Sequence, residues 1–391
     1  MTAQNLMTAV IDHYPDLFDR LEEIVTPDRG FDVFKSVADT YAPSLTVRYT
    51  RGPVVKSLLK EAADKGLCGT SLTFHPNYLS TGNVVLELGT EPRKPIWSMA
   101  HLDNISFLTG KYEGGRYTLT PYCEPRQSNG ERQALALAYS PLTGTMEEIA
   151  QGRLITEDSG QANSFETDTP DLPPATRVVY ASQARWDRPS GMVYGTVDDA
   201  FGCAALILAA SVLSHYAVEA LIVLTDEEEG VVSVGNRAFS RGSMRLLNRV
   251  SPQLTPDLIT ITDLHEEVSD LFEGHLNTRR FGQGASFAAF ASSARGGVTP
   301  PHLLAFQREL AQFLATRNIQ LKENSGYVSR SDCVSAMMAT PNVALIGYPG
   351  AYSHFADTPR AHIDDLVHLA KTLVIYHLVA QSSIWRDQYL L

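Results

Sequence analysis

Five places in this 391-residue chain put cation-holding side chains at the end of, or just beyond, a short apolar run. IWSMAHLDN ends in His101 and Asp103. GTVDDAFGCAAL sets Asp198 and Asp199 in a Gly-flanked turn ahead of an apolar helix. ALIVLTDEEEG runs into Asp226, Glu227, Glu228 and Glu229. LITITD ends in Asp263, and NVALIGYPGAYSHFADT carries His354 ahead of Asp357 and Thr358. Each has an ordinary structural reading on its own: a strand-end histidine, an Asp N-cap, a solvated acidic loop, a turn aspartate. Four adjacent carboxylates repel one another and raise each other's pKa unless water or a cation neutralises them. Two imidazoles and three or more carboxylates along one sheet edge supply that cation with a site suited to zinc, cobalt or manganese. In extended backbone His101 and Asp103 point the same way, so Asp103 is placed to fix the imidazole tautomer.

The elements that must position these groups read as α/β. PDLFDRLEEIV and PVVKSLLKEAADKG have helical spacing, and VVLELG and IWSMAH are short apolar strands. From about 108 to 190 the texture turns to Gly, Thr, Pro and Ser with short alternating pieces such as GRYTLTPY and RQALALAYS, which predicts a β-rich inserted unit. Beyond 195, apolar strands (ALIVLT, DLITI, NVALIGYP) again alternate with long helical stretches such as CAALILAASVLSHYA, PHLLAFQRELAQFLATRN and HIDDLVHLAKTLVIYHLVAQ. That alternation predicts a mostly parallel sheet covered on both faces, and such sheets bind ligands beyond the carboxyl ends of their strands. The expected division is a discontinuous catalytic domain, 1–106 and 190–391, with the β-rich domain at 107–189.

The composition, 44% hydrophobic and 19% charged, is that of a globular protein, and no apolar run reaches bilayer length. A net charge of -12 without a Lys/Arg cluster argues against nucleic acid. The start lacks the cationic and apolar regions of a signal peptide, and Cys68, Cys123, Cys203 and Cys333 are widely spaced with no CxxC. A cytoplasmic protein with reduced thiols is the expectation.

The ordered set HLD, TVDDAFG, DEEEG, ITD and SHFADT resembles the co-catalytic two-metal aminopeptidase clan. GTVDDAFGCAAL is similar to the GAxDDASGxAAL signature of bacterial leucyl aminopeptidases, and SHFADTP to their closing HTxxDT. The spacing, 97 positions from His101 to Asp198 and 91 from Asp263 to His354, is closer to the tetrahedral (glutamyl) aminopeptidases, which insert a β-rich domain at the first of these locations. The resemblance covers roughly 95–106 and 190–365. It departs at Ala200, where an Arg often follows the paired Asp, at Asn104, and in the acidic DLHEEVSD.

The resemblance implies a phosphorylase/hydrolase-like three-layer α/β/α sandwich holding two divalent ions per chain, Zn2+ first and Co2+ or Mn2+ as alternatives. Asp198 would bridge both ions across a cis bond to Asp199, with His101 and Asp263 completing one site and Glu228 and His354 the other. Glu227 would be the general base, with Asp226 and Glu229 flanking residues and Tyr352 a substrate-binding candidate for the oxyanion. The expected activity is aminopeptidase cleavage of short peptides by a homo-oligomer assembled through the inserted domain. A carboxypeptidase or N-acyl amidohydrolase is the alternative, in which Arg279, Arg280 or Arg330 would read a carboxylate. A noncatalytic member of the fold is a third reading, disfavoured because every ligand position is filled.

Overall fold

The computed structural model describes residues 2–122, 129–158, 162–230, 240–266, 281–292, 296–324, 328–355 and 358–391. At its centre four strands, Ala220–Thr225, Ile96–His101, Leu258–Ile261 and Val343–Ala351, lie side by side and parallel. The flanks are antiparallel: Val84–Leu88 and Leu72–His75 beyond Ala220–Thr225, and Arg360–His362, Met192–Tyr194 and Arg185–Asp187 beyond Val343–Ala351. The sheet is therefore mixed: four parallel strands form the middle, and a further parallel pair, Ala285–Ala288 with Leu321–Asn324, joins Val343–Ala351 antiparallel.

The first two central strands are buried at every position, and their alternate side chains feed two separate cores. Ala220, Ile222 and Leu224 pack with the Val197–Leu213 and Ile363–Ala380 helices on one face. Leu221 and Val223 pack with Leu246, Cys333 and Ala336 on the other. Every residue of Val197–Leu213 except Asp198 is buried, which accounts for a helix apolar on all sides. Regular helix geometry there begins only after Asp198 and Asp199.

Six strands between Phe107 and Tyr180 close into a barrel in the order Phe107–Glu113, Arg116–Pro121, Ala162–Glu166, Thr145–Glu157, Gly130–Ser140, Arg177–Tyr180. Phe107, Tyr117, Leu154, Phe165 and Val178 fill it, and closure removes the unpaired edges an open sheet would expose. The chain rejoins the large sheet at Arg185–Asp187. Among the described residues no helix is long and apolar enough to cross a membrane.

Candidate metal centre

The parallel strands deliver the chemistry to one edge of the sheet. His101 and Thr225 are register partners at the ends of adjacent strands, so the TDEEEG loop begins beside the imidazole. Asp263 lies two residues past Leu258–Ile261, and His354 three past Val343–Ala351. Asp198 arrives from the helix that covers this edge, and its peptide bond to Asp199 is cis.

Five side chains converge into two groups that share one member. His101, Asp198 and Asp263 form the first and Asp198, Glu229 and His354 the second, with the ligand atoms of each group within 4.8 Å of one another. His101 Nε2 is 2.9 Å from Asp198 Oδ1. His354 Nε2 is 4.0 Å from Asp198 Oδ2 and 3.5 Å from Glu229 Oε2. Nε2 of His101 faces this cluster because Nδ1 lies 3.2 Å from the backbone carbonyl of Asp103, to which it donates. These residues, with Glu228, Leu264, Ser329, Arg330 and Ser353, line a cavity of about 30 Å³, room for a couple of small ions or waters.

The donor set fits divalent ions. Burial first, then like charges, push the carboxyls up: Asp263 to about 7 beside Asp198, and Glu229 well above its ordinary value, also beside Asp198. Glu228 is raised by burial and further by Asp263 and Glu229, although His101 counters them. Burial opposes a charge on His101, but Glu228, Asp103 and Asp198 outweigh it and hold the imidazole pKa well above its ordinary range. Glu228 Oε1 is buried with no hydrogen-bond partner, a costly arrangement unless something else occupies the cavity.

The acidic run divides differently from the expectation. Glu227 turns away from the cavity: its Oε1 accepts from Tyr122 Oη at 2.7 Å and Arg241 Nη1 at 3.0 Å, and its Oε2 accepts from Arg245. With both oxygens engaged in this way it does not face the space a general base must reach. The residue that lines the cavity with an unpartnered oxygen is Glu228, and the one grouped with Asp198 and His354 is Glu229. The side chains turned to the cavity are thus Glu228 and Glu229, where Glu227 and Glu228 were expected. Asp226 stays outside, accepting from the Leu45 N–H at 2.7 Å.

Two supporting residues, Asp103 and Tyr352, also differ from the sequence reading. The Asp103 carboxylate sits 3.7 Å from His101 Nδ1 and accepts from Glu228 N–H at 3.1 Å and from the Ser44 hydroxyl at 2.6 Å. Asp199 accepts from Tyr348 Oη at 2.9 Å and Gly202 N–H at 3.1 Å, so it anchors the helix entrance. Tyr352 does not line the cavity; its N–H donates to Glu266 at 2.7 Å and its ring lies under Arg360. Arg330 does line it. Arg279, Arg280, Asp357 and Cys123 lie outside the described residues, and Cys68, Cys203 and Cys333 carry no disulfide.

No family model and no curated protein matches the sequence. Solved structures match over nearly the whole chain. A tetrahedral (TET) aminopeptidase from a marine sediment archaeon of the Thaumarchaeota superposes with a TM-score of 0.68 at 14% identity, covering 90% of this chain and 99% of that one. The TET1 peptidase of Pyrococcus horikoshii, described as assembling into a tetrahedron or a large octahedral shell, gives 0.63 at 17% identity over 92% and 99%. A Thermotoga maritima protein described as an endoglucanase gives 0.59 at 16% over 89% and 98%. At such identities the likeness is one of fold: an α/β layer with a smaller β-rich unit, shared with these neighbours.

Proposed function

We propose that the chain is a dinuclear metal-dependent aminopeptidase acting on short peptides. The observation that carries this is the pair of ligand groups sharing Asp198, with a further buried carboxylate, Glu228, facing the same cavity. His101 and Asp263 would hold one ion, Glu229 and His354 the other, and Asp198 both. Zinc suits the mixed imidazole and carboxylate donors, with cobalt or manganese as substitutes. Two such ions, when bound, polarise a scissile carbonyl and acidify a nearby water.

The chain's own residues supply the rest. Asp103, through its carbonyl, keeps His101 Nδ1 protonated, so that Nε2 is the nitrogen left to ligate. Glu228 takes a proton from the nucleophilic water at its unpartnered Oε1 and passes it to the departing amine. The Glu228 N–H, held by Asp103, fixes that carboxylate against the ligand cluster. A cytoplasmic homo-oligomer completes the reading; its oligomeric part is supported by neighbours whose descriptions name a dodecamer and a tetrahedron.

Arg330 in the cavity wall favours a second reading, in which the substrate carries a carboxylate near the cleaved bond, as in a carboxypeptidase or N-acyl amino acid hydrolase. A panel of aminoacyl amides, dipeptides and N-acyl amino acids, tested with zinc, cobalt or manganese, separates the two. Release of amine from aminoacyl amides supports the aminopeptidase. Turnover confined to N-acyl amino acids replaces it with the second reading.

A further inference from the structure

Glu227 faces away from the candidate metal centre, yet its side chain is more heavily bonded than that of Glu228. Its carboxylate is buried and meets three donors, Tyr122, Arg241 and Arg245, while the two arginines stay partly exposed. Its backbone is also fixed: the carbonyl accepts from Arg241 N–H at 3.0 Å, and the carbonyl of Glu228 accepts from Ser240 N–H at 3.3 Å. At Glu227 φ is 60°, a left-handed conformation that a non-glycine residue keeps when its surroundings hold it.

Glu228, by contrast, has a side-chain oxygen with no partner, so its aim depends on the backbone turn before it. One anchor of that turn comes from the barrel. Tyr122 directly follows the Arg116–Pro121 strand, its N–H donates to Ser106 O at 2.7 Å, and the Arg177 guanidinium sits 4.3 Å from its ring centroid. Arg177 opens another barrel strand, Arg177–Tyr180, so the barrel braces the hydroxyl that reaches Glu227.

We propose that Glu227 is a positioning residue: its clamp, closed by Tyr122 from the barrel and by Arg241 and Arg245 from the catalytic unit, sets the aim of Glu228 and Glu229. The seat of the barrel is then felt at the candidate metal centre. The inference rests on the peptidase reading above for its kinetic consequences, but the ordering of the loop can be read without it.

The test uses the full chain with Tyr122→Phe, which removes one hydrogen bond, and Glu227→Gln, which removes the charge. Turnover is expected to fall roughly 10-fold in the first and up to about 100-fold in the second, the scale of a small misplacement of a catalytic group. KM and a two-ion stoichiometry should hold. In the metal-free chain, amide exchange at 226–229 should quicken in both variants while the Ala220–Thr225 strand stays protected, a pattern that general destabilisation does not give. Unchanged kcat in both variants, or a loss of turnover that follows metal loss one for one, overturns the proposal. If Glu228→Gln keeps wild-type turnover, or the wild type cleaves no amide, it is the peptidase reading that fails. Amide exchange then decides the clamp alone, and unchanged exchange at 226–229 overturns it.

Discussion

Replacing Asp263 by Asn is expected to act with opposite sign on the metal-free and the metal-loaded chain. Burial, then the Asp198 charge, pushes the Asp263 carboxyl up to about 7 from an ordinary 3.8. A folded pKa above the unfolded one gives a contribution to stability that is complete below the unfolded value and is lost as pH rises through the folded one. At pH 8, keeping this group ionised in the metal-free fold therefore costs roughly 4 kcal/mol, at about 1.4 kcal/mol per pKa unit. Asn keeps the size and an oxygen for the Leu264 N–H, which Asp263 Oδ1 accepts at 2.6 Å, but gives up about 1 kcal/mol of charge-assisted hydrogen bonding. The net expectation is a gain of about 2 to 3 kcal/mol for Asp263→Asn at pH 8 in EDTA, read from urea unfolding. At pH 5 the gain should shrink to below about 1 kcal/mol, since the wild-type group is then mostly protonated when folded. With excess zinc the order reverses, because the variant lacks one ligand and loses binding energy that is coupled to folding. An Asn variant less stable than wild type in EDTA at pH 8 would refute the crowded-carboxylate account.

Glu228→Gln should retain both ions and lose about 10²- to 10⁴-fold in kcat, whereas Glu229→Gln or His354→Ala should drop the metal content from two per chain to one; similar behaviour of Glu228→Gln and Glu229→Gln would show that base and ligand are not separated as drawn. Asp198→Ala should weaken both sites together in a metal titration, and loss confined to one site would remove its bridging role. Since Glu228, Asp103 and Asp198 hold the His101 imidazole pKa well above its ordinary range, ion binding near neutral pH should release a proton and tighten as pH rises. Calorimetry in buffers of different ionisation enthalpy reads this, and a heat independent of buffer contradicts it.

Much of the architecture was legible because burial writes itself into composition. The continuous apolar runs IWSMAH, ALIVLT and DLITI became the parallel centre, and CAALILAASVL became a helix buried on all sides. The change of texture after 107 marked where the barrel begins. Less legible was the antiparallel character of the flanks, since a short strand such as Met192–Tyr194 is three residues long and carries no periodic signal of its own. In sequence Arg330 is one of three candidate carboxylate readers with Arg279 and Arg280, and no local pattern marks it as the one that lines the cavity. Tyr352 drew notice through its proximity to His354, but a left-handed backbone at 352 and the pull of Glu266 take it out of the lining.

The acidic run shows where reading by pattern gives out. In extended backbone, alternate side chains share a face, so continuing the Ala220–Thr225 strand into TDEEEG would pair Asp226 with Glu228 on one side and Glu227 with Glu229 on the other. Under that geometry two neighbouring glutamates cannot both face one cavity, and nothing in the letters decides which of three is turned inward. The left-handed residue at Glu227 breaks the alternation. After it, Glu228 and Glu229 both reach the cavity, while Glu227 swings to Tyr122, Arg241 and Arg245. Glycine or asparagine would have marked such a position, but here the partners that impose it lie 105, 14 and 18 residues away in sequence. A glutamate held left-handed by remote donors leaves no local trace, and so the chemistry of the loop was visible from its composition while the order of its parts was not.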